Sequence, residues 1–171
     1  MTSRAERVAD VLLSRLTSVE KLIAVAGLFV TAGALLVDIV ARELLRASMF
    51  GSLRIAVYAM ATTALLGFCV CVAAHAHIRV TAFDGLVPAG WRPMLHRLAD
   101  LVSFAICCVF AYLAGSYVRE THLVGETDVA LNVVIWPFQL ALVWMFVSAA
   151  IRYGLFALFP AVRPEEGETL L

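Results

Sequence analysis

Apolar residues in this chain come in long unbroken runs, and four of those runs reach the length of a membrane span. They are Leu22 to Ala41, Ile55 to Ala74, Leu101 to Val118 and Val129 to Ile151. Each falls within the roughly 17–25 residues that a helix rising about 1.5 Å per residue needs to cross ~30 Å of hydrocarbon. Lipid offers no partners to backbone N–H and C=O groups, so such runs close their own hydrogen bonds as helices. The pattern predicts an all-α membrane protein with four transmembrane helices over residues 22–159.

The segments between the runs have their own patterns. From Arg4 to Leu16, the residues Val8, Val11, Leu12 and Leu16 recur at helical spacing against Arg7, Asp10 and Arg15. Residues 1–21 therefore read as a cytoplasmic segment with an amphipathic helix in the membrane interface. Thr17 and Glu20 have the spacing of a capping box that would start the first span afresh. That span is longer than a signal-peptide core and lacks a small-x-small cleavage site after it, so it is expected to stay as an anchor. The connection His75 to Asp100 mixes Ile78, Val80, Phe83, Leu86, Trp91 and Met94 with basic residues and two prolines, as expected along headgroups. The acidic tail, 160–171, reads as disordered and cytoplasmic.

Lys and Arg orient the spans. One side holds Arg4, Arg7, Arg15, Lys21, Arg79, Arg92, Arg97, Arg152 and Arg163, and the other only Arg42, Arg46, Arg54 and Arg119. The bias predicts both termini on the cytoplasmic side.

Composition agrees with a membrane solvent. Of 171 residues, 63% are apolar and 15% charged, against roughly 45–50% and about 25% in soluble domains. Zero formal net charge without a basic stripe argues against nucleic acid as a partner. Cys69, Cys71, Cys107 and Cys108 all lie inside apolar runs and read as small packing residues rather than a disulfide framework.

Polar and small residues within the runs mark faces that meet other helices. Gly27, Thr31, Ala34 and Asp38 form one stripe, Ala59, Thr63, Gly67 and Cys71 a second, and Cys107, Ala111 and Gly115 a third. Such seams let backbones approach closely. Asp38 is the sole ionisable residue inside the four runs, and Arg42 follows at i+4 in the favourable order for an ion pair. The alternative is an acid that couples ion movement or touches a partner. In the fourth run, Asn132 and Gln139 lie seven residues apart with Trp136-Pro137 between them, which predicts a kink that frees the Val133 carbonyl and a face seeking a polar partner.

Enzyme chemistry finds no footing. His75, His77, His96 and His122 fall outside the runs, whereas a membrane b-type haem needs axial histidines inside them. The His75/His77 pair at i, i+2 does not share a helix face, and no cysteine or acid at ligand spacing supports a metal. The intramembrane cysteines do not suit a quinone-coupled disulfide-forming enzyme, which needs reactive thiols at an aqueous end. No nucleophile with a base, acid dyad or phosphate loop is present in the sequence. No cofactor is expected.

Three stretches carry a family resemblance: Val40-Ala41-Arg42 ending the first run, Ala73-Ala74-His75-Ala76-His77-Ile78-Arg79-Val80 ending the second, and the fourth run through Trp136-Pro137 to Arg152. Over Val19 to Phe159 the chain resembles the small permease subunit of tripartite ATP-independent periplasmic (TRAP) transporters. It departs from the family's pattern at Ser52-Leu53-Arg54 and at Thr81, where relatives usually carry acids. Salt bridges made by those acids are not carried over.

The resemblance implies a multi-pass subunit of the bacterial inner membrane that scaffolds a large permease subunit. The large subunit would hold the substrate and ion sites and move like an elevator, while a periplasmic binding protein would deliver a small organic-acid substrate. Asp38, Arg42, Arg46, Arg54, Gly67, His77, Arg79, Arg119, Asn132 and Gln139 are the candidate partner-interface residues. Glu120, Glu126 and Asp128 add charge to the second outer loop. Two readings from other classes are a self-contained homo-oligomeric carrier or channel with Asp38 as the coupling acid, and a membrane redox subunit.

Overall fold

The computed structural model describes residues 4–46, 51–73, 92–129 and 131–158. His77, Arg79 and the acidic tail lie outside the described residues, as does most of the second connection. Four helices dominate: α1 (Arg4–Leu45), α2 (Ser52–Ala73), α3 (Arg92–Val124) and α4 (Trp136–Leu158). All four are long and apolar enough to cross a membrane. A two-stranded hairpin, β1 (Thr127–Asp128) and β2 (Val133–Val134), joins α3 to α4.

The helices pack as two pairs, α1 on α2 and α3 on α4, and α2 against α4 joins the pairs. The joint is built from small residues. Val72, Cys107, Ala149 and Ala150 form a buried cluster with Tyr153 packed on it. Cys69, fully buried, points its thiol at the Met145 carbonyl across α2 and α4 at 3.8 Å. Most large apolar side chains face outward, Phe29 at 73% and Tyr112 at 75% exposure among them. Against water such a surface would be untenable. Against lipid it is expected, because helices there associate through close packing and polar ties rather than apolar burial.

Three expectations are corrected. The first helix does not restart at Thr17: α1 runs unbroken for 42 residues, roughly 63 Å at 1.5 Å per residue. Thr17 donates its hydroxyl back to the Leu13 carbonyl at 2.9 Å, the bond of a mid-helix threonine rather than a cap. The third helix starts at Arg92 and ends at Val124, so His122 lies in its last turn rather than beyond a span.

The third correction concerns the fourth run. Val129 and Leu131 to Ile135 are not helical, because Gly125 stops α3 and a hairpin follows. Gly125 adopts φ 69°. Its N–H bonds to the His122 carbonyl, and the Glu126 N–H bonds to that of Thr121, the paired bonds of a Schellman cap. Asn132, at φ 52°, sits in the hairpin turn, where asparagine tolerates the left-handed region. Pro137 thus falls in the first turn of α4, where a missing N–H costs nothing, and the predicted kink is replaced by a helix start.

Candidate functional site

Among the described residues, polar clusters near the two ends of the bundle tie its elements together. The first joins residues that the sequence pattern places in local roles. Glu20 on α1 and Arg152 on α4 form an ion pair at 2.6 Å with side chains 1% exposed. Arg152 Nη2 also donates to Thr17 Oγ1 at 3.1 Å, and its Nη1 donates to the Ser148 hydroxyl. Ser148 in turn donates to Glu20 Oε1 at 2.6 Å, and the Trp144 indole N–H donates to the same oxygen at 3.1 Å. Both carboxylate oxygens and both terminal guanidinium nitrogens are engaged. The buried Arg152 Nε has no partner among the described residues, and the bonds to the other atoms offset much of the cost of burying the charges. Asp38 is therefore not the only ionisable side chain buried among the helices.

The second cluster sits at the other end of α1. Asp38 is buried, takes the Ser52 hydroxyl at 2.9 Å from the start of α2 and pairs with Arg42 at 2.6 Å. Eighteen residues separate it from Glu20, about 27 Å along the helix, close to the ~30 Å of a hydrocarbon core. Between these levels the α1–α2 seam is tight at Gly27, where a Cβ would overlap the Thr63 hydroxyl. Thr63 donates to the Ala24 carbonyl across the seam at 3.4 Å.

The third cluster fixes the hairpin to α2. Asp128, buried, accepts the Tyr58 hydroxyl at 2.7 Å and the Leu131 N–H at 3.1 Å, with Arg54 3.8 Å away. Tyr58 stacks on Phe138 at 4.5 Å, so hairpin, α2 and α4 meet there. The hairpin tip points outward, with Val129 98% exposed.

The candidate interface residues do not form one site. Asp38 and Arg42 meet each other, and Arg54 meets Asp128. Arg46 and Arg119 are exposed, Arg46 at φ 49° where α1 ends. Asn132 is exposed in the turn and shares no helix face with Gln139. Gln139 donates to the Tyr117 hydroxyl at 3.4 Å, and its buried Oε1 has no hydrogen-bond partner among the described residues. The seams divide likewise. Gly27, Ala59 and Thr63 meet within the chain, whereas Gly67 and Gly115 have nothing within 4 Å of an added Cβ, and Cys71 is exposed while Cys69 is buried.

The signal for the missed pair was in the sequence. Trp144, Ser148 and Arg152 recur every four residues on α4, a polar stripe on an otherwise apolar helix, and Thr17 and Glu20 are one turn apart on α1. Thr17 and Glu20 have the spacing of a local cap, and Arg152 reads as a loop cation beyond the fourth run.

Comparison with known proteins agrees with this layout. No curated protein matches the chain. Residues 10–159 match the DctQ component family of the tripartite ATP-independent periplasmic transporters, a match that covers all four helices almost entirely. The chain is thus a multi-pass membrane protein that belongs to the DctQ family, the small membrane subunit of these transporters.

Proposed function

We propose that this subunit is the static, non-catalytic scaffold of its transporter in the bacterial inner membrane. It grips a large permease subunit that carries out ion-coupled uptake of a small organic-acid substrate, and a periplasmic binding protein delivers that substrate. The observation that carries this reading is the use of the buried charges: Glu20, Arg152, Asp38 and Asp128 are engaged in ties between elements of this chain. A coupling acid would need to exchange partners during a cycle, and Asp38 is held by both Arg42 and Ser52. Ties at both membrane edges brace the bundle against shear, which suits a part that stays still while its partner moves.

In this reading both termini are cytoplasmic, by the Lys and Arg bias. The hairpin and the α1–α2 turn then face the periplasm. Arg42, Arg46 and Arg119 are side chains on that face suited to an acidic surface of the binding protein. Gly67, with open space beside it, lies on the face offered to the large subunit. Purification of the tagged chain from its native membrane in mild detergent tests the assignment. A large multi-span protein is expected to elute with it in fixed ratio, and elution of the chain alone would contradict it.

A further inference from the structure

Between α1, α2 and the start of α4 lies an apolar groove of about 310 Å³ that the helix ties leave unfilled. Ala26, Gly27 and Ala59 make room for it, and Tyr58, Leu131 and Phe138 line it toward the hairpin. On α1 it extends from Ile23 to Val30, between the levels of Glu20 and Asp38, and so within the hydrocarbon. Its lining is almost wholly apolar, so its occupant is apolar.

The end toward the hairpin is charged. Tyr58 lines the groove and places its hydroxyl on Asp128. Arg54 stands 3.8 Å from the same carboxylate with a side chain 58% exposed. At 3.8 Å from Asp128, beyond hydrogen-bond distance, the guanidinium of Arg54 is held loosely and keeps donors for another anion. A guanidinium matches a phosphate in shape as well as charge. An apolar slot that ends at an arginine, near the membrane edge, has the polarity of a phospholipid.

We propose that the groove holds an acyl chain of one phospholipid whose phosphate is bound by Arg54. The lipid belongs to the leaflet on the hairpin side, periplasmic in the orientation given above, and it completes the subunit's surface there.

The test uses the complex as purified, reconstituted in nanodiscs of phosphatidylethanolamine and phosphatidylglycerol. Phosphatidylglycerol with a photoactivatable diazirine on its acyl chain is the probe, and labelled peptides of this chain are mapped by mass spectrometry. Labelling is expected on the segments containing Ala59 and Phe138. Ala26→Phe, which fills the groove, is expected to remove it, and Arg54→Gln to weaken it about tenfold, the order expected for loss of one charge-assisted contact. A diacylglycerol carrying the same diazirine, lacking phosphate, is expected to ignore Arg54→Gln. Because Arg54 is exposed, its substitution leaves packing intact and stands in if Ala26→Phe fails to fold. Labelling indifferent to both substitutions would overturn the proposal, as would crosslinks from the groove to a partner helix in place of lipid. A missing large subunit in the starting preparation would count against the scaffold reading separately.

Discussion

Arg152 Nη2 lies 2.6 Å from Glu20 Oε2, a contact that joins α4 to α1 across 132 residues of chain. Removal of either partner strands a buried charge, at a cost of about 3–5 kcal/mol. Arg152→Leu and Glu20→Leu are each expected to lower the detergent unfolding temperature sharply. The double substitution is expected to recover most of the loss, since no charge is then left unpaired. A double variant as unstable as the sum of the singles would mean that the two side chains do not act as a pair.

The hairpin depends on a different bond. Tyr58→Phe deletes the hydroxyl that reaches Asp128 at 2.7 Å and leaves a buried carboxylate short of one donor, a change worth about 1–3 kcal/mol. Limited proteolysis is expected to cut between Gly125 and Ile135 faster in this variant, with the helices unaffected. Equal cutting rates would show that the hairpin is held by other contacts.

Gly27 and Gly67 are expected to separate folding from assembly. A side chain at Gly27 meets the Thr63 hydroxyl, so Gly27→Leu should part α1 from α2 and destabilise the isolated subunit. Gly67 opens onto free space. Gly67→Leu should leave the subunit's own unfolding temperature nearly unchanged while abolishing co-purification of the large subunit. Thermal unfolding of the subunit and pull-down yield read the two effects independently.

Pro137 is expected to matter little. In the first turn of α4 its ring replaces no hydrogen bond, so Pro137→Ala should change stability by less than about 1 kcal/mol, against the ~3 kcal/mol typical of a mid-helix proline. A large gain in stability on substitution would point instead to a strained kink.

The four helices were legible because lipid makes a simple demand: a long apolar run has no structure open to it but a helix. Their ends were harder, since run length measures hydrophobicity and not hydrogen bonding. Val129 to Ile135 is apolar enough to extend a span, yet Gly125 and Asn132 divert it into a hairpin. The pairing of Asp38 with Arg42 is a contact between neighbouring turns and could be read from spacing. The tie of Glu20 to Arg152 could not, because it depends on which two helices meet and at what register. Gly67 and Gly115 show the same limit, as a small residue announces a close approach without naming the partner.

In the proposed role this subunit braces a transporter and moves nothing by itself. Uptake of labelled substrate into proteoliposomes, driven by an ion gradient and supplied with the binding protein, measures it most directly. Flux is expected only when the large subunit is present with this chain, and Asp38→Asn in the assembled complex is expected to leave the ion dependence of that flux unchanged. Full-rate uptake by vesicles that contain this chain alone would contradict the account.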